Sequence, residues 1–299
     1  MRGTGMFDRT VEPDPRPAAP PSRNPERMRK GHRREYAADR ARGSTSFSER
    51  CAGALTDIGV HGAVSYRDLS AARFGGHPYT TRRAVNAWIR EGLVKEATAT
   101  GPNGNPFKVI ALTPRGAAEA RKTAAKRGQD PRQRIEAAPL QRSQAAHDTA
   151  VYRACTAERE RLRQRSATVR RVRLDRELRR TVARGSESAR IKYGKRAADT
   201  ERHSIARELG LPVDDRGRVL YPDAQIEYED ADGRTGRVNI EAVSGDYREP
   251  AVKAKAAAGF AMHASGPAAA ALLRRLGLGS EKGSWLRGPA DRDPTTVEL

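Results

Sequence analysis

The spacing of hydrophobic positions changes several times along the chain, and each change predicts an element. In "SFSERCAGALTDIG", apolar Cys51, Ala54, Leu55 and Ile58 recur at helical spacing after a serine able to cap, and a glycine closes the run. "VSYRDLSAARFG" predicts a second short helix ending at Gly75. "YTTRRAVNAWIREGLV" predicts a third, with Thr80 as its cap and Ala84, Val85, Trp88 and Ile89 as its buried stripe. Two strand-like runs follow, "LVKEATAT" and "FKVIALT", and "GPNGNP" between them is a strong turn signal.

Beyond residue 120 the pattern loosens. "RKTAAKRGQDPRQRIEAAP" is broken by Gly128, Pro131 and Pro139 and reads as a linker over 121–142. "SQAAHDTAVYRACTAERERLRQR" predicts a helix with Ala146, Ala150, Val151, Ala154, Cys155 and Leu162 inward. "ATVRRVRLDRELRR" opens with an imperfect strand alternation, and a helix is expected near "ADTERHSIARELGL" in the polar stretch 185–215. "YPDAQIEYEDADGRTGRVNIEAVSGDY" reads as two strands around an acidic, glycine-containing turn. "EPAVKAKAAAGFAMHA" predicts an alanine-rich helix with Pro250 in its first turn, "PAAAALLRRLGL" another, and "TTVEL" a last strand. The expected class is α+β. Three helices and a hairpin over 46–120 have the order of a winged helix-turn-helix, and 143–278 form a small α/β domain. A basic arm (1–45) and a tail (279–299) flank them, and no internal repeat is visible.

Charge adds a partner to this picture. The 299 residues hold 57 Lys or Arg against 37 Asp or Glu, a net +20, which attracts polyanions and points to double-stranded DNA. The basic residues cluster. Residues 1–45, with "EPDPRPAAPPSRNPERMRKGHRREY", read as a disordered arm, and Arg115 to Arg180 holds 19 Lys or Arg against 8 Asp or Glu. Two cysteines are too few for a disulfide framework or a thiolate zinc site and fit a reducing, cytoplasmic setting. No apolar run approaches the ~20 residues of a membrane span, and no secretory signal opens the chain.

The third predicted helix is the recognition candidate. In a winged helix it lies in the major groove with its first residues at the base edges. Here these are Tyr79, Thr80, Thr81, Arg82, Arg83 and Asn86, with Arg90 further along. Arginine bonds guanine in two places, asparagine does so with adenine, and threonine takes phosphate or a thymine methyl. The hairpin turn, Asn103 to Asn105, and Lys108 are placed to reach the flanking backbone, with Arg115 beyond. "LTPRG", Leu112 to Gly116, resembles the "LTPxG" run after the wing of many bacterial winged-helix regulators, in which Thr113 caps a helix begun by Pro114. A protein-interaction module remains the alternative for this unit.

Asp223 starts the first strand of the acidic hairpin and Glu241 ends the second. Two carboxylates so placed suit Mg²⁺ or Mn²⁺, hard cations that orient phosphate and make hydroxide available near neutral pH. Strand, turn, strand, helix is the order of the PD-(D/E)xK nuclease fold. Val243 stands where that motif has its lysine, so Lys253 or Lys255 on the next helix is the substitute. With "AHD" (His147, Asp148), "PDA" and "VNIEAVSGDY", the chain resembles the replication-relaxation family of bacterial mobile elements over most of 46–262. The resemblance implies a winged helix joined to a nuclease-like domain, a role in plasmid mobilisation or replication, and a relaxase or similar partner. It carries over His147, Asp148, Asp223, Glu241 and Lys255. The second acid of that family's "ExD" is absent, since Val243 is followed by Ser244 and Gly245 before Asp246. The expected protein is therefore a DNA-binding one with an inactive nuclease-like domain, with a metal-dependent endonuclease or a transcriptional regulator as alternatives.

Overall fold

The computed structural model describes residues 46–101 and 104–278. The expected arm, the tail with its "TTVEL" strand, and Asn103 of the hairpin turn lie outside the described residues. From Phe47 on, the described residues form a single compact α+β unit built around two sheets.

The first element, α1 (Phe47–His61), buries Ala54, Leu55 and Ile58 as its spacing predicts. It passes through Gly59 and ends at His61, before Gly62 at φ 86°. Gly59 is therefore a contact point and not the stop: a Cβ there would fall 2.4 Å from Ile135 and 2.8 Å from Leu112. The chain continues through β1 (Val64–Ser65), α2 (Tyr66–Arg73) and α3 (Pro78–Arg90). Then come β2 (Val94–Thr100), β3 (Pro106–Leu112) and α4 (Pro114–Lys126). β2 and β3 pair antiparallel from Val94–Leu112 to Thr100–Pro106, and the two-residue β1 adds to β3's other side. Thr113 caps α4 as expected: Gly116 N donates to its hydroxyl at 3.0 Å.

The segment expected as a linker is ordered against the body. Its first residues complete α4, and Ile135 is buried, with Glu136 N donating to Gly59 O at 3.0 Å. The Gln133 amide imitates a strand: it accepts from Val172 N at 2.8 Å and donates to Val172 O at 3.0 Å. Proline and glycine interrupt regular structure there without preventing packing.

Next come α5 (Ala145–Gln164), β4 (Thr168–Leu174), α6 (Asp175–Tyr193) and α7 (Lys195–Glu208). They are followed by β5 (Ala224–Glu229), β6 (Thr235–Val243), α8 (Glu249–Ala257), β7 (Ala261–Ala264) and α9 (Pro267–Arg275). The second sheet has the order β4-β5-β6-β7, antiparallel except for the parallel β6–β7 pair. Its register shifts between Val169 and Arg171, so a bulge at Arg170 explains the imperfect alternation. The alanine-rich stretch divides into two elements. α8 ends at Ala257, Gly259 turns the chain at φ 84°, and "AMHA" becomes β7. One apolar cluster runs from Leu55 and Trp88 through Ile135 to Tyr152, Ile226 and Ile240, so α5 packs against both sheets. A second cluster lies on the far face, where Val243 and Met262 meet α8 and α9.

Candidate functional site

α3 starts at Pro78 with His77 in the cap position, so Thr80 stands inside the first turn and not at the cap. At 3.6 residues per turn, Tyr79, Arg82, Arg83, Asn86 and Arg90 share one face, opposite the buried Ala84, Val85 and Trp88. All five are exposed, and Arg82, Arg83 and Arg90 have no carboxylate ion pair among the described residues. Thr81 does not join them: it is buried, and its hydroxyl donates to His77 O at 3.1 Å. Ile89, expected in the core stripe, is 39 % exposed at the border of the outer face. Asn105 and Arg115 are also exposed. Lys108 is engaged in an ion pair with Glu96, which also accepts from Tyr66 Oη at 2.5 Å. The Lys108 and Tyr66 hydrogen bonds hold the Glu96 carboxyl below its ordinary range.

Much of the basic run after Arg115 is neutralised internally. Arg159 meets Asp57 at 2.8 Å, Arg161 meets Glu158 at 2.7 Å, and Arg163 meets Glu160 at 2.7 Å. Across the second sheet Arg170 reaches Glu229 at 2.7 Å and Arg173 reaches Glu227 at 3.0 Å, while Arg171 pairs with Glu177. Asp57, Glu227 and Glu229 lie outside the segment, on α1 and β5, so a linear charge count of the segment cannot see them. These pairs take up part, not all, of the positive charge of the segment.

The acidic hairpin brings its predicted residues together. Asp223 lies one step beyond the Ala224–Ile240 pair, opposite Glu241. Ala242 N donates to Asp223 Oδ2 at 2.8 Å, and His147 Nε2 approaches Asp223 Oδ1 at 3.3 Å. Glu241 is fully buried. Its Oε1 accepts from Lys255 Nζ at 2.6 Å and from Tyr247 Oη at 2.8 Å, while its buried Oε2 has no hydrogen-bond partner. Lys255 thus comes from α8 to the acid, whereas Val243 is buried in the core. Burial, reinforced by the Asp223 charge, pushes the Glu241 carboxyl up, and Lys255 and Tyr247 oppose the rise. The His147 imidazole is pushed up, chiefly by its hydrogen bond to Asp223. Burial raises the Asp148 carboxyl to about 6. Tyr247 has no counterpart among the sequence candidates, because its loop has no period to read.

Asp223 and Glu241, the latter through its orphaned Oε2, form a hard, oxygen-only donor set that suits Mg²⁺ or Mn²⁺, ions often held by one or two carboxylates plus substrate phosphate. Among the described residues, no group of three or more His, Cys, Asp or Glu is placed to hold a metal. Comparison of the chain with family models, curated proteins and solved structures found no match. No helix among the described residues is long and apolar enough to cross a membrane.

Proposed function

We propose that this protein binds duplex DNA through a winged helix formed by residues 47–126, with α3 as its recognition element. The observation that carries the reading is the outer face of α3. It gathers three guanidiniums without a carboxylate partner, an amide and a tyrosine on one exposed helix face, whereas arginines such as Arg159, Arg170 and Arg173 are mated to carboxylates. Arg82, Arg83 and Asn86 then meet base edges, and Arg90 and Arg115 meet phosphates. The order helix, strand, two helices and hairpin supports the winged-helix reading, with the turn at Asn105 flanking the groove. The resemblance noted in the sequence extends the proposal to mobilisation or replication of a plasmid or integrative element. In a gel shift at moderate salt the full chain retards duplex DNA, and Arg83→Ala weakens binding by ~1–3 kcal/mol if Arg83 reads a base. An unretarded duplex refutes the proposal.

A second reading, metal-dependent phosphodiester cleavage, is favoured by the unpartnered Glu241 Oε2 beside Asp223. Asp223 and Glu241 would hold Mg²⁺ or Mn²⁺, which supplies a Lewis acid for phosphate and a water of lowered pKa. Lys255 places a positive charge beside the acids, and His147 steadies the Asp223 carboxylate. Under this reading supercoiled plasmid is nicked with Mg²⁺ or Mn²⁺, and Asp223→Ala abolishes the nicking. Intact plasmid under both ions leaves the site as a scaffold only.

A further inference from the structure

A groove of about 560 Å³ opens where α2, α5 and the β7–α9 junction meet. Each of the three helices contributes an arginine: Arg67 from α2, Arg153 from α5 and Arg274 from α9. The carboxylate lining the groove, Asp68, is already engaged. Its Oδ2 accepts from Ser65 Oγ at 2.6 Å, and its Oδ1 lies 3.9 Å from Arg153 Nε. Arg67 and Arg274 have no carboxylate ion pair among the described residues. His263, which also lines the groove, is buried and held by Glu158 at 2.8 Å.

This arrangement differs from that of an arginine pair in the same fold. Arg73 and Arg159 converge on a shared buried carboxylate, Asp57, at 2.6 and 2.8 Å. Around the groove three arginines line the wall with one carboxylate, Asp68, which lies 3.9 Å from Arg153 Nε. Like charges lining a concavity repel each other and focus a positive potential into it. Guanidinium forks match the oxygens of phosphate, and the groove has the size of a small-ligand site. Alanines of α5 and α9, Ala154 and Ala270 among them, give one wall an apolar character suited to the organic part of an ester.

We propose that this groove is a phosphate-ester site that holds one or two phosphate groups between Arg67, Arg153 and Arg274. The ester comes either from a free nucleotide or from a nucleic-acid strand, since both present the same oxygens. None of the three arginines belongs to the α3 face or to the acidic site, so the inference does not depend on either.

The test uses the full chain. Calorimetric titrations with a nucleoside 5′-monophosphate and with a short DNA duplex are run on the wild type, on Arg67→Ala/Arg274→Ala, and on Arg83→Ala. Nucleotide binding weakened at least tenfold in the double variant, and unchanged in Arg83→Ala, assigns the groove to a free nucleotide. If the mononucleotide does not bind, the strand source requires the double variant to lose duplex affinity. The slope of log affinity against log salt should then fall by up to about 2, at ~0.9 per phosphate contact. Nucleotide binding that the double variant weakens, without duplex binding by the wild type, supports the groove and removes the α3 proposal. Should the double variant melt early, Arg67→Gln and Arg274→Gln are tested singly against the same criteria. Unchanged affinity for both ligands, or no binding of either by the wild type, overturns the inference.

Discussion

Lys255→Met removes the positive partner of Glu241 while keeping most of the aliphatic stem. Glu241 is 0 % exposed, and the Lys255 side chain is 20 % exposed. Without the ammonium the carboxylate keeps only Tyr247, faces Asp223, and has an Oε2 that already lacks a partner. Breaking a buried pair in this way costs ~3–5 kcal/mol, and the partial exposure of Lys255 puts the expectation at the lower end, about 3 kcal/mol. The cost depends on pH. The folded carboxyl lies above its ordinary value of 4.5, so the folded state holds that proton more tightly than the unfolded chain does. Ionised Glu241 therefore opposes folding: stability is fullest below 4.5 and declines as pH rises through the folded value. Removing Lys255 raises the folded value further, so the deficit of the variant grows with pH and shrinks toward acid. Glu241→Gln, which also relieves the repulsion from Asp223, costs less. Urea unfolding followed by circular dichroism at several pH values reads this directly. A deficit below about 1 kcal/mol at neutral pH, or one that is the same at every pH, refutes an ionised Glu241 held by Lys255.

Ile135→Ala should lower stability by ~2–5 kcal/mol, read from its urea midpoint; a free linker would lose almost nothing. Asp148→Asn should stabilise the protein above the folded value of about 6 and leave it unchanged below 3.8, because burial makes the ionised carboxyl unfavourable; melting temperatures across that window check the sign. Gly116→Ala should be strongly destabilising by the same urea assay, since its Cβ would fall 1.9 Å from Leu93 O; a normal midpoint contradicts that close approach.

What the sequence made legible follows the strength of its periods. α3 carries a full apolar stripe against a basic face, and both appear where the spacing puts them, apart from Thr81 and Ile89 at the margins. Thr113 and Pro114 announce α4 by a local cap that needs no tertiary context. The acidic hairpin and the Lys255 substitution were also readable, because pairing fixes Asp223 opposite Glu241 and α8 follows at once. α6 was not recognised, for its only buried residues are Glu177, Leu178, Val182 and Ser186 on an otherwise polar helix. The spacing of Leu178 and Val182, with Gly194 at φ 86° ending the run, was the available signal. β7 was hidden because "AMHA" has the composition of the helix before it; its strand form comes from pairing with β6. Ion pairs such as Arg173–Glu227, and the groove of Arg67, Arg153 and Arg274, join residues far apart in the chain and have no sequence signature.

The central claim is that α3 delivers unpaired charge to duplex DNA. It is tested most directly by anisotropy titrations of a labelled duplex over a range of salt. Arg82→Ala/Arg83→Ala/Arg90→Ala is compared with a control of equal charge, Arg163→Ala/Arg190→Ala/Arg202→Ala, whose arginines are exposed but ion-paired. The account predicts that the α3 variant loses at least tenfold in affinity and about 0.9 in salt slope for each phosphate contact removed, while the control stays near wild type. Equal losses in the two variants, or none in the first, would contradict it.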